Sequence, residues 1–122
     1  MRGIRGAITV EQNTKEAIFE AVQQMAVAMC HENEIAPEEI GAAIFSATED
    51  LTAAFPAAGA RALPDFAFVP LFDARQMDVD ASLPMCIRAL FLVNTEKEQR
   101  EIQHVYLRKA IALRPDLIAA TR

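Results

Sequence analysis

Leu83-Pro-Met-Cys-Ile-Arg-Ala-Leu-Phe-Leu-Val-Asn-Thr95 reads as a β-strand that is apolar on both faces. A period of two puts Met85, Ile87, Ala89, Phe91 and Val93 on one side. Cys86, Leu90 and Leu92 lie on the other, with Arg88 among them. A strand of this kind is expected at the centre of a sheet, covered above and below. Burying a guanidinium there is costly unless a carboxylate or a bound anion meets it. No acidic residue lies within the strand. Arg88 therefore asks for an anionic partner from elsewhere, either a distant Asp or Glu or a ligand.

The rest of the chain sets the bounds. Its 122 residues suit one domain, residues 1–122, large enough to hide roughly two-thirds of its unfolded surface. A hydrophobic content of 52% with 24% charged residues is that of a soluble globular chain. The longest apolar run, Met25 to Cys30, is far too short to span a membrane, and the arginine-flanked start does not read as a signal peptide. Cys30 and Cys86 lack CxxC spacing and read as reduced core thiols of a cytoplasmic protein. The net charge of −5 and the lack of a basic stripe argue against nucleic acid. An anion site would have to rest on locally concentrated arginines.

Residues 2–10 alternate as a strand in which Gly3 and Gly6 leave room for a close approach, and Arg5 shares its face with small residues. Asn13 reads as an N-cap, with Glu16 completing a capping box. A helix over about 14–33 follows, with Ile18, Val22, Met25 and Met29 as its core stripe. His31, near its end, complements the helix dipole. Pro37 starts a turn, Ile40–Ala47 is a strand, and Ser46–Leu51 is its exit. The segment 53–63 is short and helical or irregular, and Phe66, Phe68 and Val69 read as a third strand limited by Pro70. Residues 73–78 read as a loop or single helical turn; if helical, Asp73 and Gln76 face the same way. Thr95–Glu98 is a capping box opening a short charged helix to about His104, and 106–113 leans towards a final strand. These elements predict an α+β fold: a mixed sheet of about five strands with one long helix packed on a face.

Phosphate loops and Cys/His clusters with metal spacing are absent from the sequence. Neither His31 nor His104 sits in a triad pattern, and His104 beside Tyr106 is open to an acid–base or a structural role. What stands out is a set of arginines at element ends or within apolar strands: Arg5, Arg61, Arg88 and Arg114. Planar guanidinium forks match carboxylates in pairs, so the residues alone point to a carboxylate-binding pocket.

Several linked stretches resemble a known family. Arg2-Gly-Ile-Arg-Gly-Ala-Ile-Thr-Val-Glu11, Ser46–Leu51, Ala54-Phe-Pro-Ala57 with Arg61, Met77-Asp-Val79, Cys86-Ile-Arg88, His104-Val-Tyr-Leu107 and Leu113-Arg-Pro-Asp-Leu117 run in order through almost the whole chain. They look like the monofunctional, trimeric bacterial chorismate mutases of the non-helical class. The resemblance implies a homotrimer forming a pseudo-α/β barrel, with active sites in clefts between subunits. It implies conversion of chorismate to prephenate in aromatic amino acid biosynthesis, without metal or cofactor. Carried over by motif, Arg5 and Tyr106 would hold a substrate carboxylate, and Arg88 would reach the breaking ether oxygen. Phe55, Ala57, Leu71, Phe72 and Leu113 would wall the pocket, while Arg61 and Arg114 add positive charge at its mouth.

The chain departs from the family at the residue that contacts the substrate hydroxyl. A glutamate is usual there, and this chain has Gln76; three residues earlier, a usually small position holds Asp73. Either the carboxylate has moved to Asp73 as a working residue, or Asp73 faces solvent and the Gln76 amide oxygen suffices, or catalysis is impaired. The family lysine beside Phe-Pro-Ala is Ala58 here. A catalytically silent anion-binding trimer and a trimeric imine or enamine deaminase are the alternatives, the latter by fold analogy only.

Overall fold

The computed structural model describes residues 1–113. The chain runs β1 (Arg2–Thr9), α1 (Lys15–Glu32), β2 (Ile40–Ala47), α2 (Pro56–Arg61), β3 (Leu71–Arg75), β4 (Cys86–Val93) and β5 (Val105–Leu107), with 3₁₀ turns at Pro37–Glu39, Gln99–Glu101 and Arg108–Leu113. The five strands form one mixed sheet in the order β3-β2-β4-β1-β5. β4 is its middle strand, antiparallel to both β1 and β2, while β3 and β5 join parallel at the two edges.

Alternation sorts the sheet into two unlike faces. Ile4, Ile8, Phe45, Ile87, Phe91 and Val93 point into the main core, where Ile18, Val22, Met25 and Met29 of α1 meet them. Gly6 is what lets α1 sit this close. A Cβ there would lie 2.4 Å from Met29 Sδ and 3.2 Å from Met25 Cγ. The opposite face carries Ala42, Ile44, Leu90 and Leu92, only half-buried, and the exposed Phe72, Arg5 and Arg88. At one end of it a small cluster of Ala7, Cys86, Tyr106 and Ala110 closes beneath the C-terminal 3₁₀ turn. The expected cover on both faces of β4 is thus present on one face only, and Arg88 is exposed rather than buried.

Other differences have local causes. Thr14, not Asn13, caps α1, its Oγ1 accepting from Ala17 N. Asn13 instead ties the loop after β2: its Oδ1 accepts from Thr52 N and Ala53 N at 2.9 and 3.0 Å. Phe66 to Val69 is a turn, in which Val69 N–H reaches Phe66 O, and the third strand starts after Pro70 at Leu71. Residues 73–75 are therefore strand, neither loop nor helix. The charged segment after Thr95 forms only the 3₁₀ turn 99–101, and the final strand stops at Leu107, where Arg108 turns the backbone with a φ of 57°.

Candidate active site

Arg5 stands on β1 and Arg88 on β4, both directed to the open face, and β5 brings in Tyr106 beside Ala7. With Gly6, Ala7, Ala89 and Leu113 these residues line a cavity of about 170 Å³. Among the described residues, no Asp or Glu oxygen lies within 4 Å of either guanidinium. The distant ion pair considered for Arg88 is therefore not made within the described chain. Its near neighbour is the Cys86 thiol, which burial pushes up from its ordinary value while Arg88 opposes the shift.

β4 is set in register by its N-terminal anchor. Thr48 Oγ1 accepts from Cys86 N at 3.0 Å and donates to Asp50 Oδ1, while Asp50 Oδ2 accepts from Met85 N at 3.0 Å. These bonds hold Met85 in the left-handed region, at φ 52°, where a side chain other than glycine is disfavoured. The strand-exit stretch Ser46–Leu51 thus aims the strand that carries Arg88.

The remaining expected site residues lie apart from this cavity. Phe55 and Asp73 line a separate cleft of about 590 Å³ beside α2 and β3. Ala57 and Arg61 belong to α2, and Leu71 and Phe72 to β3. Phe55 and Phe72 are 72% and 64% exposed, high for aromatic side chains without a partner surface. Asp73 is turned to the helices: its Oδ1 accepts from Ala57 N at 3.0 Å, in the first turn of α2, where the Phe55 cap offers no side-chain acceptor. Burial pushes its carboxyl up, against the Ala57 N–H and the Arg61 charge, which pull it down.

On extended backbone, residues three apart leave opposite faces, so Asp73 and Gln76 do not act side by side. Gln76 continues the ladder, its N–H reaching Ala47 O at 3.3 Å, and lines a third cavity, of about 270 Å³, with Thr48 and Asp50. Its Oε1 is buried without a hydrogen-bond donor among the described residues. Arg114, expected at the pocket mouth, lies outside the described residues.

Asn33 escaped the sequence reading, and His104, left open there between an acid–base and a structural role, makes a bond the sequence did not specify. His104 Nδ1 accepts the backbone N–H of Arg5 at 3.0 Å. Asn33, fully buried at the end of α1, holds the residue before it: Nδ2 donates to Gln103 O at 2.8 Å and Oδ1 accepts from Gln103 N at 2.7 Å. Only the placement of His104 just ahead of the Val-Tyr-Leu strand hinted at such a role.

Comparison with known proteins shows the family of the chain. The family model described as chorismate mutase type I matches residues 1–117. The chain is 51% identical over 121 residues to chorismate mutase AroH of Thermus thermophilus, covering 98% of each. It is 44% identical over 117 residues to chorismate mutase AroH of Bacillus subtilis, covering 96% of this chain and 92% of that one. The solved structure of a chorismate mutase from Clostridium thermocellum superposes with a TM-score of 0.87 at 39% identity, over 90% of this chain and 97% of that one.

Proposed function

The chain belongs to the type I chorismate mutase family and isomerises chorismate to prephenate; we propose that it does so with Arg5, Arg88, Tyr106 and Gln76, in a site completed by a second copy of the chain. The observation that carries this reading is the pair of guanidiniums in the small cavity between β1, β4 and β5 that no carboxylate of the described residues meets.

The reaction is a Claisen rearrangement: an ether C–O bond breaks, a C–C bond forms, and no atom is gained or lost. It needs neither nucleophile nor proton transfer. What it requires is a substrate held in its compact chair-like conformer, and a fixed charge where negative charge grows on the ether oxygen. Arg88 supplies that charge from the middle strand, and needs no solvent-like reorganisation to do so. Arg5 and Tyr106 hold a carboxylate. Gln76 Oε1, a buried acceptor without a donor among the described residues, takes the hydrogen bond of the substrate hydroxyl.

A homotrimer with inter-subunit sites accounts for two further observations. The cavity, at about 170 Å³, is below the range of ordinary ligand sites, roughly 300–1,000 Å³, as half a site would be. The open sheet face bears a half-buried apolar patch, and Phe55 and Phe72 stand exposed at the other edge. In this reading Phe55, Ala57, Leu71 and Phe72 of one subunit wall the cavity of the next, with Leu113 closing it from the arginine side. Arg61 and Arg114 add charge at the mouth, and Asp73 acts on α2 rather than on substrate. We place the enzyme in the cytoplasm, in keeping with a biosynthetic role and with helices too short or too polar to cross a membrane among the described residues.

The family assignment sets aside the deaminase alternative, and turnover separates an enzyme from a silent binder. Chorismate absorbance should fall on addition of the protein. Arg88→Ala should lose roughly a hundredfold to a thousandfold in kcat, the usual cost of one such donor, while the trimer survives. An Arg88→Ala protein turning over at near the parent rate would refute the ether-oxygen role.

A further inference from the structure

We propose that His104 is a positioning residue for the rearrangement, holding Arg5 in place through its neutral imidazole; the proposal rests on the carboxylate-binding role given to Arg5. β1 pairs with β5 only through Gly6, Ala7 and Ile8, so the backbone ladder ends one residue short of Arg5. At that point His104 Nδ1 stands in for the missing strand carbonyl and accepts the Arg5 N–H at 3.0 Å. A backbone amide can only donate, so Nδ1 must present its lone pair and any ring proton of the neutral form sits on Nε2.

The ring is held from behind. Asn33 engages both backbone groups of Gln103, fixing the segment to the end of α1. The Arg5 backbone is paired with Leu90 of β4 on one side; on the β5 side its hold rests on a side-chain acceptor that a second proton would abolish. Protonated at both nitrogens, the imidazole turns a donor towards a donor, and the bond becomes a repulsion. Among the described residues, the charged and titratable groups around it include His31 and Glu32 of α1, which line a cleft with it, Arg5 on β1 and Tyr106 on β5. His31 and Glu32 face each other at 3.4 Å.

The test is steady-state kinetics on the assembled enzyme across pH, with His104→Leu, His104→Asn and Arg5→Ala. Asn offers Oδ1 close to where Nδ1 lies and does not titrate. His104→Leu should lose roughly tenfold to a hundredfold in kcat/KM, the usual scale for a small displacement of a binding group. His104→Asn should recover most of that loss. The parent should lose activity reversibly towards acid pH along a one-proton limb that His104→Asn lacks. Equal losses in the Leu and Asn variants, or the same acid limb in parent and Asn variant, would overturn the proposal. Should His104→Leu fail to fold, the pH comparison with Asn decides alone. An Arg5→Ala enzyme at the parent rate would instead remove the role of Arg5 itself.

Discussion

Asp73 places a carboxylate where a six-residue helix needs an acceptor. The bond to Ala57 N holds the start of α2, and Arg61 in its last turn lies close enough to be felt. Burial nevertheless dominates and raises the carboxyl above its ordinary 3.8. The sign of the consequence follows. Between 3.8 and the raised value the unfolded chain has released this proton and the folded chain still holds it. Stability linked to Asp73 is therefore full below 3.8 and declines as pH rises through the folded value. Asp73→Asn keeps the acceptor and drops the charge. It should melt at or above the parent temperature at neutral pH, the difference closing in acid. A variant that melts lower at neutral pH would show that the charge itself holds α2. The arginines were legible in the sequence because charges among apolar or small residues stand out. The target of Asp73 was not, because residues three apart share a face on a helix and leave opposite faces on a strand, and the segment had been read without a strand.

Elements were legible where their period was long enough to exclude rivals. α1, β2 and β4 each show several repeats of one spacing; α1 and β2 lie within a residue of expectation or at it, while β4 starts three residues later and ends two earlier than the stretch read as strand. Short elements were not. Phe66 and Phe68 alternate like a strand yet form a turn, while Leu71–Arg75, with a charge at either polar position, is the strand, because an edge strand needs little burial of its own. At 105–113 the apolar residues fit either period, and a backbone reversal at Arg108 divides the stretch. Close packing of α1 on β1 rests on the absence of one Cβ. Gly6→Ala should destabilise the fold by roughly 1–3 kcal/mol, as overpacked cores do, read as a lower denaturation midpoint with an unchanged m-value. Because Gly6 follows Arg5, activity should fall with it. A variant as stable as the parent would mean that Met29, whose Sδ is the nearest atom, swings aside freely.

At the scale of the whole molecule, one chain carries two sets of proposed site residues that do not meet. Arg5, Arg88, Tyr106 and Leu113 share one cavity; Phe55 and Asp73 line another, no described residue is common to both, and Gln76 lines a third. In the proposed trimer each site takes its arginine half from one chain and its aromatic half from the next. Two inactive proteins with lesions in opposite halves should then rescue each other. Arg88→Ala and Phe55→Glu, unfolded together and reassembled in equal amounts, should regain about a quarter of the parent sites, since each site draws each half independently from a cyclic assembly. A mixture as inactive as its components would place the whole site within one chain.

The middle position of β4 has one more consequence. β4 is hydrogen-bonded along both edges, so the backbone that carries Arg88 should exchange its amide protons only when the sheet as a whole comes apart. The aromatic half hangs on a five-residue edge strand and a six-residue helix, the kind of segment that opens locally at far lower cost. The two halves of the site thus stand at opposite ends of a gradient of local unfolding. Arg88, proposed to meet the charge of the transition state, is on the part that does not yield, and the proposed aromatic wall is on the part that can open to admit substrate.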